Sequence, residues 1–276
     1  MYSSPSAGRI SCVLFVAVVS LLNGSAVYAR PAGPQELPKA EDVLEAAVKA
    51  IGGREAWEKH KSMAVVMKGK IVGQDMALSM ATKQKAPNLS YLKLSIQGIF
   101  EQEMGFDGKV AWSKDPFTGE RELEGIERAQ VVRQAVFNAP LKWKQIYKKV
   151  QTLGIEKVDG RECIVVQLTP KEGHPAKHYF DKNTLLLFAT ETKSESAMGE
   201  QTARSRFMDY KETGGVLVAH TVKIMAGANN MELKLDKIEW DVKVDDALFK
   251  KPWGDKGEKK TEKKTGGDAG KSGQSS

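Results

Sequence analysis

The stretch Ser62–Gln97 reads SMAVVMKGKIVGQDMALSMATKQKAPNLSYLKLSIQ, and apolar residues alternate with polar ones over most of its length. Three segments within it, Met63–Ile71, Met76–Met80 and Leu92–Ile96, place an apolar residue at nearly every second position. A period of two residues is that of a β-strand with one face buried and the other face in water. The stretch therefore predicts three consecutive strands that share one apolar face.

The same pattern continues through the second half of the chain. Further short runs are rich in β-branched and aromatic residues: Lys109–Ser113, Cys163–Thr169, Leu185–Thr192, Ala203–Tyr210, Val216–Met225 and Met231–Val244. Turn signals separate most of them: Asp107-Gly108, Asp159-Gly160, Asp181-Lys182-Asn183, Gly214-Gly215 and Asn229-Asn230. Hairpin-sized connections require antiparallel neighbours. About ten strands in series predict an antiparallel meander.

Two segments have a helical period instead. Residues 40–51 predict an amphipathic helix that Gly52-Gly53 ends, and its apolar face consists of Leu44, Ala47, Val48 and Ile51. Residues 125–150 predict a helical insertion that Pro140 interrupts, and its shared face consists of Ile126, Ala129, Val132, Arg133, Val136 and Phe137. We expect both segments to cover the apolar face of a curved sheet, which gives an α+β half-barrel whose concave face carries helices.

Methionine is frequent on the predicted apolar faces, whereas only 7% of the residues are aromatic. Thioether side chains adapt to apolar partners of varying shape, so such a face suits acyl chains. Ordinary core filling is the alternative. The candidate ligand-binding lining consists of Val65, Met67, Met76, Leu78, Met80, Leu92, Leu94, Ile96, Val132, Val136 and Phe137. Residues 126–137 form the candidate lid.

The two ends of the chain differ in composition from the segment between them. Residues 1–29 have the charged start, apolar centre and small-residue end of an export signal, with cleavage expected after Ala29. A Pro-rich leader follows at 30–38, the predicted domain spans 39–253, and a Lys-rich tail expected to be disordered spans 254–276. We expect an exported, periplasmic protein.

Composition also excludes several classes of protein. No apolar run reaches the roughly 20 residues that a membrane helix needs, which excludes a polytopic membrane protein. Cys12 lies in the signal and leaves Cys163 alone, which excludes a disulfide scaffold. The net charge of +7 is spread without a dense basic run, so no nucleic-acid partner is expected.

Catalytic and metal-binding patterns are weak. His174 and His178 have the spacing of a metal pair, but Pro175 and the lack of a third ligand favour an exposed loop. Cys163 has no histidine partner motif and is expected to be a small buried residue at the start of a strand. Arg204 and Arg206 share the wet face of one strand, where they could meet a headgroup. We expect no catalytic residue, no metal and no cofactor.

Four turn motifs give the chain a family likeness: FDGKVAW (Phe106–Trp112), VDGREC (Val158–Cys163), YFDKNTL (Tyr179–Leu185) and DDALF (Asp245–Phe249). Together with the order of helices and strands, they make about residues 40–252 resemble the periplasmic lipoprotein-carrier superfamily, the LolA-like and outer-membrane lipoprotein-sorting proteins. The resemblance implies an eleven-stranded half-barrel that holds acyl chains of lipoproteins or other lipids beneath a helical lid. It carries over no individual ligand-binding residue.

Three functions remain open at this point, in order of preference. The first is a monomeric carrier or binder of lipid or lipoprotein acyl chains that exchanges its load with a membrane-bound donor or acceptor protein. The second is a cell-envelope interaction module with a solid core and no ligand. An enzyme comes third, and it would need titratable residues that converge in a pocket. A continuous apolar cavity between sheet and helices favours the first function.

Overall fold

In the computed structural model, which describes residues 36–74, 76–196, 199–227 and 229–254, the alternating segments form one antiparallel sheet. The sheet has thirteen strands in that part of the chain. They are β1 Ser62–Ile71, β2 Met76–Lys85, β3 Leu89–Ile96, β4 Phe100–Phe106, β5 Ala111–Asp115, β6 Gly119–Glu122, β7 Tyr147–Val158, β8 Arg161–Pro170, β9 Ala176–Asp181, β10 Leu187–Ser196, β11 Gly199–Thr213, β12 Val216–Ala226 and β13 Asn229–Trp240.

The sheet turns back on itself but does not close. The last strand, β13, pairs with the first, β1, so the order runs from β6 down to β1 and then from β13 down to β7. At the junction, Met67 lies opposite Met80 on one side and opposite Leu235 on the other. The strands β6 and β7 are left as unpaired edges, and the helical insertion connects them. This arrangement confirms the α+β half-barrel.

The helices are short and come from two parts of the chain. The N-terminal pair is α1 Ala40–Ala50 and α2 Gly53–Lys59, and the insertion contains α3 Gly125–Ala135, a 3₁₀ turn Ala139–Lys142 and α4 Trp143–Ile146. A final 3₁₀ turn spans Asp246–Phe249. The predicted helix at 40–51 and its stop at Gly52 are confirmed.

Both groups of helices pack against the same face of the sheet. Leu44 and Ala47 of α1 form a buried cluster with Val166 and Leu168 of β8 and with Trp143 of α4. On the opposite side of the half-barrel, α3 packs with Val131 and Ala135 against Phe106 of β4 and Ala111 of β5. The apolar periodicity of the strands therefore matches the surface that the helices cover.

The described part of the chain contains thirteen strands, whereas the sequence predicted about ten and the family resemblance implied eleven. The prediction of a helical segment as far as Val150 is wrong after Ile146, because strand β7 begins at Tyr147. Tyr147 and Val150 fit a helical spacing, but pairing with β8, in which Val150 lies opposite Leu168, determines the structure. The strands β4 and β6 were not predicted, since their polar residues hide the alternation.

Some predictions concern residues outside the described part of the chain. They are the signal at 1–29 with its cleavage site, the leader up to residue 35 and the tail from residue 255. In the described ranges, no helix is long and apolar enough to cross a membrane.

Candidate functional site

An apolar cavity of about 310 Å³ lies between the helices and strands β8 to β12. Its roof is formed by α1, α2 and the segment Ala139–Ile146, which we call the helical cap. Leu44 and Val48 of α1 face the cavity from above, and Leu168, Phe180 and Phe207 line it from the sheet. The volume lies at the lower end of the range of about 300–1,000 Å³ typical of small-molecule sites.

Backbone contacts fix the helical cap to the sheet at the corner between α1 and α2. Gly52 has φ +113°, and a Cβ atom there would lie 2.8 Å from the carbonyl oxygen of Gly215 in the β11–β12 turn. Beside it, the amide of Leu217 donates to the carbonyl of Ile51 at 3.0 Å. Only glycine fits this conformation and this close approach, so the Gly-Gly sequence sets where the cap meets the sheet.

Two further hydrogen bonds join the parts of the helical cap to each other. The Arg54 guanidinium donates to the Leu141 carbonyl at 2.8 Å, and the Asn138 amide donates to the Trp57 carbonyl at 2.9 Å. These bonds connect α2 to the segment that follows α3. The cap therefore consists of two distant chain segments that hold each other over the cavity.

The polar groups that line the cavity are few and neutral at pH 7. The Tyr210 hydroxyl donates to the Leu187 carbonyl at 2.7 Å, and burial raises the pKa of Tyr210. Burial lowers the pKa of His178 to about 4. The indole N–H of Trp143 has no hydrogen-bond partner, although the residue is only 6% exposed. With no carboxylate among its described lining residues, the cavity is suited to an apolar ligand.

The sheet carries a second apolar surface next to the cavity, which we call the Met-rich floor. Met67, Leu78 and Leu233 are buried at its centre. Around them lie half-buried side chains that leave apolar surface open: Val65, Met80, Leu94, Ile96, Val222, Ile224, Met231 and Leu235. Phe207 of the cavity lies opposite Val222 of the floor in adjacent strands. The cavity and the floor are therefore neighbouring parts of one sheet face.

The residues proposed from sequence as a lining are divided among the Met-rich floor, two positions outside it, a separate pocket and a buried site. Six of them lie in the Met-rich floor: Val65, Met67, Leu78, Met80, Leu94 and Ile96. Met76 lies opposite Ile71 beside the floor, and Leu92 lies opposite Met104. Val132 and Val136 line a separate pocket of about 260 Å³ with Arg128 and Arg133, whereas Phe137 is buried.

None of those eleven residues lines the apolar cavity itself. The sequence did contain a signal for that cavity, since the apolar face of the first helix supplies Leu44, Ala47, Val48 and Ile51. Sequence reasoning assigned this face to ordinary packing. His178 was also missed as a cavity residue. The sequence predicted an exposed loop there, but His178 lies on strand β9 and its imidazole lines the cavity. That part of the prediction for His178 was wrong.

The remaining sequence candidates are accounted for by local contacts. Cys163 is completely buried on β8, as predicted. Arg204 forms an ion pair with Glu191 at 2.8 Å, and Arg206 forms one with Asp159 at 2.9 Å. Within the described ranges, no group of three or more His, Cys, Asp and Glu residues is arranged to hold a metal ion.

Comparison with solved structures places this architecture in a known class. A LolA superfamily protein from Nitrosomonas europaea matches with a TM-score of 0.53 and 14% identity over 78% of this chain and 98% of its own. A domain from Vibrio parahaemolyticus named for outer membrane lipoprotein sorting matches with a TM-score of 0.50 and 12% identity over 76% and 97% of the two chains. No family model and no curated protein matches the sequence. The chain therefore has the LolA-like fold, as the turn motifs predicted.

Proposed function

We propose that this protein binds acyl chains of lipids or lipoproteins noncovalently and carries them through the periplasm. The apolar cavity beneath the helical cap is the observation that carries the proposal, because it provides a partly open apolar ligand site that a solid interaction module would lack. The LolA-like fold and the predicted export signal support the same function and location. A membrane-bound donor and acceptor would complete the cycle.

The energetics of the cavity favour such a ligand. Each buried CH₂ group contributes about 0.8 kcal/mol to binding. The cavity can take part of one chain, and the half-buried Met-rich floor offers adjacent apolar surface for the rest. Methionine side chains adapt to chains of different shape, so the site suits a class of acyl ligands better than a single molecule.

Loading and release require the helical cap to move. The sheet cannot open without breaking strand pairs, whereas α1 and α2 are held by the side-chain packing of α1 on β8 and by a few hydrogen bonds to the β11–β12 turn and to Leu141. We propose that this cap, rather than residues 126–137, is the part that opens. Contact with a donor or acceptor would then replace these bonds while the acyl chain passes between apolar surfaces.

The proposal is a non-enzymatic function. The titratable side chains that line the cavity are His178, Tyr147 and Tyr210. Burial raises the pKa of both tyrosines and lowers that of the histidine, so all three are neutral near pH 7. A neutral histidine without a nucleophile or carboxylate beside it in the described lining does not form a catalytic pair.

The test is a titration of the delipidated protein with a fluorescent fatty acid. We expect saturable binding by the parent protein and a loss of at least tenfold in affinity for Ala219→Phe, because Ala219 lines the cavity. Ala77→Phe is the matched control, since Ala77 is exposed on β2 and alternates with the inward Met76 and Leu78. Absence of saturable binding at micromolar protein, or equal losses in both variants, would contradict the proposal.

A further inference from the structure

A second cavity on the same sheet face has a lining that mixes polar and apolar side chains. It has a volume of about 320 Å³ and lies between strands β4 and β5, helix α3 and the β10–β11 hairpin. Gln102, Ser113, Gln130, Ser194 and Gln201 contribute polar side chains to its wall. The half-barrel interior therefore contains an apolar cavity at one side and, at the other, a cavity of mixed lining that we call the polar cavity because of these five side chains.

Among the residues that the structure describes, two hydrogen-bond donors in this wall have no partner. Ser113 is 1% exposed, and its hydroxyl makes no hydrogen bond. The side-chain nitrogen of Gln130 on α3 is also fully buried and unpaired. A buried donor without a partner costs free energy, and such groups are uncommon in native proteins. A ligand with an acceptor atom would satisfy both.

The charged groups around this cavity are already occupied. Arg121 holds the Glu127 carboxylate with both terminal nitrogens, at 2.6 and 2.9 Å. Asp115 accepts hydrogen bonds from the backbone amides of Phe117 and Thr118 at 2.9 and 2.8 Å. The polar side chains left for a ligand are therefore neutral, and the unpaired Ser113 and Gln130 donors favour a neutral acceptor such as a carbonyl oxygen over an ion.

The polar cavity borders the Met-rich floor. Gln102 in its wall lies opposite Leu94 of the floor, and Phe100 lies opposite Ile96. An amphiphile on this sheet face would reach the floor with its hydrocarbon chains and the polar cavity with the atoms next to them. In an acyl ester, those atoms are the ester carbonyl.

We propose that Ser113 and Gln130 form a subsite for the ester carbonyl of an acyl ester, with the Ser113 hydroxyl and the Gln130 amide as its donors. This inference rests on the proposed function and specifies its ligand as an acyl ester of glycerol. The ester can come from a free glycerolipid or from the diacylglyceryl group of a lipoprotein.

The experiment compares two probes of equal chain length, 1-monopalmitoylglycerol and 1-O-hexadecylglycerol. Both carry the same hydroxyl groups, but only the first has a carbonyl oxygen. We expect the delipidated full-length protein to prefer the ester by about tenfold, as two neutral hydrogen bonds allow. In Ser113→Ala combined with Gln130→Met, the preference should fall to about one. Ser79→Ala, on the outer face of β2, should keep the full preference.

A measurement without ligand tests the same reasoning. Because the Ser113 hydroxyl has no partner, Ser113→Ala should leave the Tm of the ligand-free protein unchanged or raise it. A lower Tm would show that the hydroxyl is paired within the fold and would overturn the subsite. Repeating the comparison with ester and ether forms of a dipalmitoylglyceryl-cysteine peptide and of dipalmitoylglycerol identifies the source at equal chain number, since tighter binding of the peptide ester indicates a lipoprotein and tighter binding of dipalmitoylglycerol indicates a free lipid.

The outcomes separate the two proposals. Equal affinity for ester and ether, or an ester preference that survives the double substitution, overturns the subsite and leaves the carrier function standing. Failure of both probes to bind overturns the carrier function and the subsite with it.

Discussion

Acidification should destabilise the ligand-free protein through His178, and the size of the effect follows from its position in the cavity. Burial lowers the pKa of this imidazole to about 4 from its ordinary value of 6.5. The unfolded chain therefore binds a proton at a higher pH than the folded protein does. The stability associated with neutral His178 is complete above about pH 6.5 and is lost as the pH falls towards 4.

The difference between the two pKa values corresponds to about 3 kcal/mol when the titration is complete. Between pH 7 and pH 5, it amounts to a loss of about 2 kcal/mol in the free energy of unfolding. Carboxylates with lowered pKa values, such as Glu45, Asp181 and Asp241, titrate in the folded protein below their ordinary values and lose their stabilisation mainly below pH 5. Between pH 7 and pH 5, the change in the free energy of unfolding therefore reports mainly on histidine protonation.

Urea unfolding followed by tryptophan fluorescence at pH 7, 6 and 5 measures the effect. His178→Leu keeps the cavity lining apolar and removes the titrating group, so its loss between pH 7 and pH 5 should be about 2 kcal/mol smaller than that of the parent protein. Equal losses in the two proteins would refute the reasoning. An NMR titration that placed the His178 pKa in the folded protein above 6 would refute it as well.

Three further substitutions test the cap and its connections to the sheet. Leu44→Ala removes a buried side chain of α1 that is 6% exposed, and we expect a loss of about 2–5 kcal/mol in urea unfolding. Gly52→Val should lower the Tm, because its Cβ would lie 2.8 Å from the Gly215 carbonyl at a φ of +113°; an unchanged Tm would contradict the close approach. Arg54→Met removes the 2.8 Å hydrogen bond to Leu141, so dissociation of a bound fluorescent fatty acid in stopped flow should be faster by about two- to tenfold, whereas an unchanged rate would show that this bond does not restrain the cap.

The fold was predictable because most strands carry their own local signal. A period of two between Met63 and Ile96, together with turn dipeptides such as Asp159-Gly160, defines strands and hairpins without tertiary information. The boundary at Tyr147 was not predictable in this way. Its residues fit both periods, and only pairing with β8 selects the strand, because Tyr147 lies opposite Pro170 at the end of the hairpin farthest from the Asp159-Gly160 turn.

The candidate site was less predictable because it depends on which surfaces remain uncovered. The alternation of Val65, Met67 and Met80 shows that these residues share a face, but it does not show where the helices lie over that face. The cavity forms from Leu44 and Phe207, which belong to segments far apart in sequence and meet only through the fold. Ser113 is similar, since a serine between Ala111 and Asp115 gives no sign that its hydroxyl will be buried and unpaired.

The open edges of the sheet explain why its interior is not filled. The pairing of β13 with β1 joins the thirteen described strands into one sheet around a common interior, with β6 and β7 as its two edges. The insertion between those edges provides only two short helices and a 3₁₀ turn. Of these helices, α3 packs on β4 and β5 and reaches across to β10, and α4 lies beside β7. The Met-rich floor between them consequently stays half-buried. A sheet of this width with so little helix over it leaves apolar surface that a ligand can cover, and in the proposed subsite the Ser113 and Gln130 donors at one side of that surface would bind the ester carbonyl of the ligand.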